Sequence, residues 1–290
     1  PAGTGLLQVT AVATEGWLAE LEERWSRFRQ ASETSVLNRS AGRPVRVSPE
    51  TFTLVALAVV GWRASGGRFD PTILDALERA GYDRSFELLD SPGARTSRPE
   101  PPAPAGGLDG VVLDQEAGTV RLPPGTRFDP GGIAKGYAAD LLCAELRAAG
   151  AAGACMNIGG DLRVSGRPPG GGRWLVGVPH PRGGGAGVLE LAEGAIATSF
   201  PLRRAWKVEG RPSHHLIDPR SGRPAGTGLL QVTAVATEGW RAEVAAKAAY
   251  LAGVPGALRV AAGLGAEALA VDDTGRVHAT AGLELPGNRP

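Results

Sequence analysis

The sequence predicts an α+β fold, with mixed sheets and flanking helices in layers, and three observations carry that prediction. Segments with apolar residues at helical spacing are interleaved with short strand-like runs, two pairs of those runs read as hairpins, and Gly and Pro gather in the loops. The 43 Gly and 23 Pro concentrate in Ser91–Gly107, Gly166–Gly172 and Pro179–Gly187, which read as surface loops and not as global disorder. A hydrophobic content of 42% over 290 residues is enough for a proper core.

The elements follow in chain order. Leu6–Ala13 alternates and is rich in Val and Thr, as a strand requires. Leu18, Leu21, Trp25 and Phe28 fall at helical spacing, which predicts an amphipathic helix over Leu18–Arg29. Ser48 is a good N-cap for a buried helix over Pro49–Ser65. Asp70–Ala80 opens on Asp-Pro-Thr, whose Pro suits a first helical turn, and Gly81 ends it. Gly110–Asp114 and Thr119–Leu122 read as a hairpin. Gly131–Gly150 is the clearest helix, with Ile133, Tyr137, Leu141 and Leu142 on one side and Gly150 as its stop. Strands are predicted at Ala154–Ile158, Trp174–Val178, Val188–Leu191, His215–Asp218 and Leu230–Ala236, and a further helix at Ala242–Gly253. Ala268–Asp272 and Val277–Thr280 close the series as a hairpin around Asp273-Thr274-Gly275.

Composition narrows the function classes. Basic and acidic residues nearly cancel, 31 against 30, so no broad positive field is available to wrap a nucleic acid. No run approaches the ~18 apolar residues of a membrane helix, because the richest stretch, Thr53–Val60, stops at Gly61. Cys143 and Cys155 cannot build a disulfide framework or a four-ligand zinc site, and both read as small core residues. The sequence starts at Pro1, which leaves the compartment open. Pro1–Trp17 recurs unchanged as Pro224–Trp240. One perfect copy is not a repeat architecture, so residues 1–17 are expected to be an extra N-terminal strand segment.

Three clusters carry chemical potential. Phe128-Asp129-Pro130-Gly131-Gly132-Ile133-Ala134-Lys135-Gly136 sets two glycines at the mouth of a helix, with an acid before them and a Lys in the first turns. Bare N–H groups at a helix start with a cation close by suit a phosphate or pyrophosphate, although a glycine turn of this kind is also a common structural device. Only three of the 31 cationic residues are lysine, Lys135, Lys207 and Lys247, which gives Lys135 added weight. Asn157-Ile158-Gly159-Gly160-Asp161 ends a strand in a Gly-Gly turn with an acid, leaving room for a ligand or for neighbouring backbone. His214-His215-Leu216-Ile217-Asp218-Pro219-Arg220-Ser221-Gly222 brings a titratable pair, an acid and a cation into one strand-to-turn segment, open to either a turn or a proton-transfer reading. Arg203-Arg204 is read equally as solvated surface or as a docking patch.

Taken together with Ser32-Glu33-Thr34-Ser35-Val36-Leu37-Asn38, Phe69-Asp70-Pro71-Thr72 and Ala197-Thr198-Ser199, these blocks stand in an order and spacing that resembles the ApbE family, the FAD:protein FMN transferases. The likeness runs over about 18–285, and six blocks in one order are far more specific than any single block. It implies a single mixed α/β domain of the ApbE type over 18–285 that binds FAD and, with Mg2+, transfers FMN to a Ser or Thr hydroxyl of an acceptor protein, releasing AMP. By resemblance, Phe28 matches the aromatic beside the flavin, Asp70, Pro71 and Thr72 a segment lining the FAD cleft, and Asp129, Lys135 and Asp161 cofactor contacts. His215 and Ile217 match a cofactor-lining strand, and His215 is the candidate to assist proton transfer or to position the cofactor. Gly132 matches a metal contact through its carbonyl.

Departures from the family pattern fall at the metal. The late helix usually carries an Asp and, four residues later, a Thr; here those positions are Glu243 and Lys247. Spacing of i, i+4 predicts a Glu243–Lys247 ion pair, and an ammonium cannot ligate magnesium, so the metal site is expected to be weakened or metal-free. Ala2-Gly3-Thr4 stands for the usual Met-Gly-Thr, and Ile73-Leu74-Asp75 for Val-Gly-Pro. Besides the transferase, the residues leave open an FAD pyrophosphatase, with water as nucleophile in the same pocket, and a non-catalytic FAD-binding protein.

Overall fold

The computed structural model describes residues 16–89, 103–208 and 210–283. The strand expected at Leu6–Ala13 lies outside them, as do residues 1–15 of the duplicated segment. Residues 16–25 are helical (α1), and Leu21 and Trp25 turn into the core. The helix ends three residues before Phe28, which corrects the longer span expected: Phe28 sits in the turn that follows, 39% exposed.

Glu33–Arg39 (α2) was not expected as a helix. Ser32 caps it by accepting the Ser35 N–H, and Asn38 near its end exchanges two hydrogen bonds with the Phe128 backbone, at 2.9 and 2.7 Å. Val45–Arg46 (β1) leads to Pro49–Ala64 (α3), where Ser48 is the N-cap and Pro49 starts the helix as predicted. Leu54, Val55 and Ala58 on α3 are fully buried, each of the larger two contributing about 1.5–3 kcal/mol of transfer free energy. The next helix, Leu74–Arg79 (α4), is shorter than the Asp70–Ala80 expected. The Asp70 carboxylate accepts from both the Thr72 N–H (2.8 Å) and its hydroxyl (2.6 Å), folding Asp70–Thr72 into a side-chain-bonded turn that excludes helix.

Val112–Asp114 (β2) and Thr119–Arg121 (β3) form the predicted hairpin, and β1 joins it in the order β1-β3-β2. The helix expected over Gly131–Gly150 is broken at its start. Pro130–Gly132 is a short 3-10 turn, Ile133 leaves helical geometry, and Ala134–Ala148 (α5) follows. Asp129 is the reason, since its carboxylate accepts the Gly131 N–H at 2.9 Å and caps the short turn by itself.

The remaining strands are Gly153–Ile158 (β4), Asp161–Gly166 (β5), Trp174–Pro179 (β6), Gly185–Leu191 (β7), Gly194–Ser199 (β8), Ala205–Val208 (β9), Arg211–His214 (β10), Ile217–Asp218 (β11), Arg223–Pro224 (β12), Leu229–Ala236 (β13), Glu267–Asp272 (β14) and Val277–Ala279 (β15). Gly239–Leu251 (α6) and Ala257–Gly263 (α7) fall between β13 and β14. An antiparallel sheet in the order β15-β14-β13-β8-β5-β4 organises this half. Helices α5, α6 and α7 pack on the sheet, while the β6–β7 ribbon closes an apolar cluster of Val178, Leu189, Ile196, Leu269 and Val271. Cys143 is buried, but Cys155 is exposed, against expectation. It lies on edge strand β4, where Ala154 takes the buried face and the next side chain points the other way. The strand expected over His215–Asp218 shortens to Ile217–Asp218, because His214 ends β10.

Helices α5 and α6 cross at Gly136 and Gly239, so closely that a Cβ on Gly136 would press on the Gly239 carbonyl and lie 2.7 Å from the Trp240 nitrogen. Asp140 of α5 caps α6 from outside its own chain segment, accepting the Gly239 N–H (2.7 Å) and the Trp240 N–H (3.1 Å). Burial pushes the Asp140 carboxyl up to about 6, against those amides and Arg163. The crossing fixes the start of α5 against the start of α6, beside the site.

Candidate active site

A cleft of about 490 Å³ opens between the α1–α4 half and the large sheet. That volume is within the range of small-molecule and cofactor sites. One wall is aromatic: Phe28 and Tyr82 lie 6.0 Å apart at the cleft, and Tyr82 packs at 5.2 Å on buried Trp206. The Arg27 guanidinium is 4.4 Å from the Phe28 ring centre and 4.6 Å from that of Tyr82, and its Nε is 3.6 Å from Asp129. Arg204 reaches the Tyr82 hydroxyl at 3.2 Å. Burial raises the Tyr82 phenol, against Arg204 and Arg27, so the hydroxyl stays protonated at neutral pH.

At the other end, Gly131, Gly132 and Lys135 line the cleft at the mouth of α5. The Lys135 ammonium is held by Asp161 and by Glu243 Oε1 at 3.2 Å, and Lys247 reaches the same Glu243 oxygen at 3.0 Å. The predicted Glu243–Lys247 pair is therefore present, but it is shared and buried: Glu243 is 1% exposed. Its second oxygen accepts the Gly136 N–H at 2.9 Å. Burial disfavours the Glu243 carboxylate, yet Lys135 and Lys247 outweigh that and hold it below the usual carboxylate range. Burial likewise pushes the Lys135 ammonium down to about 8, against the pull of Glu243.

The sequence-predicted residues divide by position. Phe28, Asp70, Pro71, Asp129, Gly132, Lys135, His215 and Ile217 meet at the cleft. Asp161 and Glu243 stand behind the lysines and orient them. Thr72 lies outside the cleft wall, its hydroxyl donating to Asp70 and accepting the Gly107 N–H at 2.8 Å. Asp70 is raised by burial, against its bonds to Thr72. The His215 Nδ1 is 3.3 Å from the Arg204 carbonyl, which can only accept, so Nδ1 carries the hydrogen and Nε2 keeps its lone pair. Burial, with Lys247 nearby, pushes the His215 imidazole down to about 3. Of the arginine pair, Arg204 lines the cleft, whereas Arg203 lies over Gly160. Sequence reading missed Arg27, Tyr82 and Trp206, which sit in turns and short strands without periodic signal; the Arg27-Phe28 adjacency was the one hint.

Fold and cleft define the class: an α+β protein whose site pairs an aromatic wall with a cationic helix mouth, suited to a ligand that is part ring and part phosphate. The chain belongs to the ApbE family, which it matches over residues 6–270. It is 30% identical to the FAD:protein FMN transferase of Klebsiella pneumoniae, over 72% of this chain and 65% of that one. It is 29% identical to the one of Treponema pallidum, over 92% and 78% respectively. The crystal structure of the ApbE protein from Thermotoga maritima superposes with a TM-score of 0.82 at 27% identity, covering 94% of this chain and 89% of that one. The chain thus spans just under two thirds of the Klebsiella relative's length.

The metal expected at Gly132 and Glu243 does not fit the residues around them. The Lys247 stem lies over Gly132, with its Cε 3.2 Å from where a Gly132 Cβ would be, and both Glu243 oxygens already have N–H partners. An ammonium has no lone pair to give a cation.

Proposed function

We propose that this protein is an FAD:protein FMN transferase, which takes FAD as substrate, moves FMN to a Ser or Thr hydroxyl of an acceptor protein and releases AMP. The observation that carries the reading is a single cleft running from the Phe28–Tyr82 wall to the Lys135–Lys247 floor, in a chain of the ApbE family. The flavin ring stacks on the aromatic wall, and the pyrophosphate meets the amides and lysines at the α5 mouth. In the transfer, the acceptor oxygen bonds to the FMN-side phosphorus, the bridging P–O bond breaks with its electron pair going to AMP, and the hydroxyl proton is released. Preorganised positive charge at the phosphorus stabilises that transition state. His215, neutral at physiological pH, offers the Nε2 lone pair to orient a hydroxyl, a positioning role rather than one of carrying the proton.

Incubation of the purified chain with FAD and a domain bearing an acceptor Thr tests the reading. AMP release with an FMN mass increment on the acceptor is the expected result. FMN and AMP both free in solution make the chain a pyrophosphatase, and bound FAD without either product makes it a binding protein.

A further inference from the structure

Four charged groups meet behind the α5 mouth. Two carboxylates, Asp161 and Glu243, face two ammoniums, Lys135 and Lys247. The lysines converge on the same Glu243 oxygen, and that side chain is 1% exposed. Lys135 and Lys247 themselves remain open to the cleft, with side chains 29% and 18% accessible. Gly132 leaves a space that a side chain would fill, and the Lys247 methylenes fill it, together with Phe69. The cationic end of Lys247 is thus fixed at the helix mouth by a carboxylate four residues earlier on α6 and by a glycine on another element.

We propose that Lys247 takes the place of a divalent cation in this chain: held on Glu243 over Gly132, its ammonium joins Lys135 in balancing the pyrophosphate charge, so that FAD binding and FMN transfer need no divalent metal. The inference rests on the FAD reading above. A lysine is a point charge that pairs well with phosphate oxygens, and the P-loop lysine shows that it can serve them without a bidentate fork. A divalent ion brought to the same place would face two ammoniums and find the buried carboxylate already paired. The bonds made and broken are those of the transfer above; Lys247 supplies charge and no proton.

The test is FAD binding by flavin fluorescence, on the full chain, in EDTA and in Mg2+, alongside AMP release under the same conditions. The unmodified chain is expected to bind FAD equally in both. Lys247→Thr replaces the ammonium with an oxygen donor and opens the space over Gly132. It is expected to bind FAD on the order of tenfold more weakly in EDTA and to recover in Mg2+, the loss matching one charge-assisted hydrogen bond. Lys247→Arg keeps the charge and is expected to stay indifferent to metal, which guards against a Thr variant that folds poorly. Binding by the unmodified chain that is lost in EDTA and restored by Mg2+ overturns the inference, as does a folded Lys247→Thr variant that Mg2+ leaves unchanged. Failure to bind FAD under any condition instead overturns the FAD reading itself.

Discussion

Replacing Gly136 by Ala probes the junction between scaffold and site. A Cβ there would lie 2.7 Å from the Trp240 nitrogen and closer still to the Gly239 carbonyl, all of it backbone that cannot rotate away. Ordinary carbon–oxygen contacts begin near 3.3 Å, so α5 and α6 must part by on the order of 1 Å. That movement stretches the Gly136 N–H bond to Glu243 Oε2 from 2.9 Å to beyond hydrogen-bond range. Overpacking of this kind costs about 1–3 kcal/mol, and a hydrogen bond to a charged group contributes about 1.5–3 kcal/mol. The expected destabilisation is about 4 kcal/mol, or a fall in Tm on the order of 10 °C for a chain of this size. Urea unfolding of Gly136→Ala beside Gly177→Ala measures it, because a Cβ on Gly177 meets nothing within 4 Å. Gly239→Ala strains the same crossing, so the Gly136/Gly239 double variant should lose less than the sum of the single losses. Equal stability of Gly136→Ala and Gly177→Ala refutes the reasoning.

Three further expectations follow from the site. FAD affinity should fall as pH rises through about 8, where Lys135 loses its charge, and Lys135→Arg should flatten that decline in a fluorescence titration. His215 binds its proton at 6.5 in the unfolded chain and at about 3 in the folded one, so the unfolded state takes up the proton first as the solution is acidified. Its contribution to stability is therefore complete above 6.5 and is lost as pH falls toward 3; denaturant curves of His215→Gln across that window should show a shallower acid loss than the parent chain. Phe28→Ala removes one stacking surface and should weaken FAD binding about fivefold, with a smaller quench of flavin emission on binding.

Much of the architecture was legible because its signals were local. Ser48 before Pro49, the hairpin turn at Asp273-Thr274-Gly275 and the apolar face of α5 each state their element within a dozen residues. What escaped was what depends on distant partners. Strand β8, Gly194–Ser199, is buried along nearly its whole length, so it shows no alternation to read. Asp161 looked like part of a turn, yet it begins β5 and grips Lys135. Arg27 lies between two rings, one of which, Tyr82, is brought by the turn after α4.

Helix α6 shows where the two kinds of information meet. Ala242, Ala245, Ala246, Ala248 and Ala249 are all fully buried, so apolar periodicity says little about which side faces what. In a helix buried on nearly every side, a charged residue is costly unless the fold supplies partners. Glu243 and Lys247 are the two charges that α6 carries deepest, and their spacing already predicts that they pair. The spacing cannot predict that Lys135 shares the same oxygen, because Gly136 and Glu243 stand 107 residues apart and meet only through the glycine crossing of α5 and α6. A lysine on such a helix therefore does more than make a local pair with Glu243. It places a second cation beside Lys135 where the crossing has gathered two acids, with the carboxylates buried and both lysines left open to the cleft.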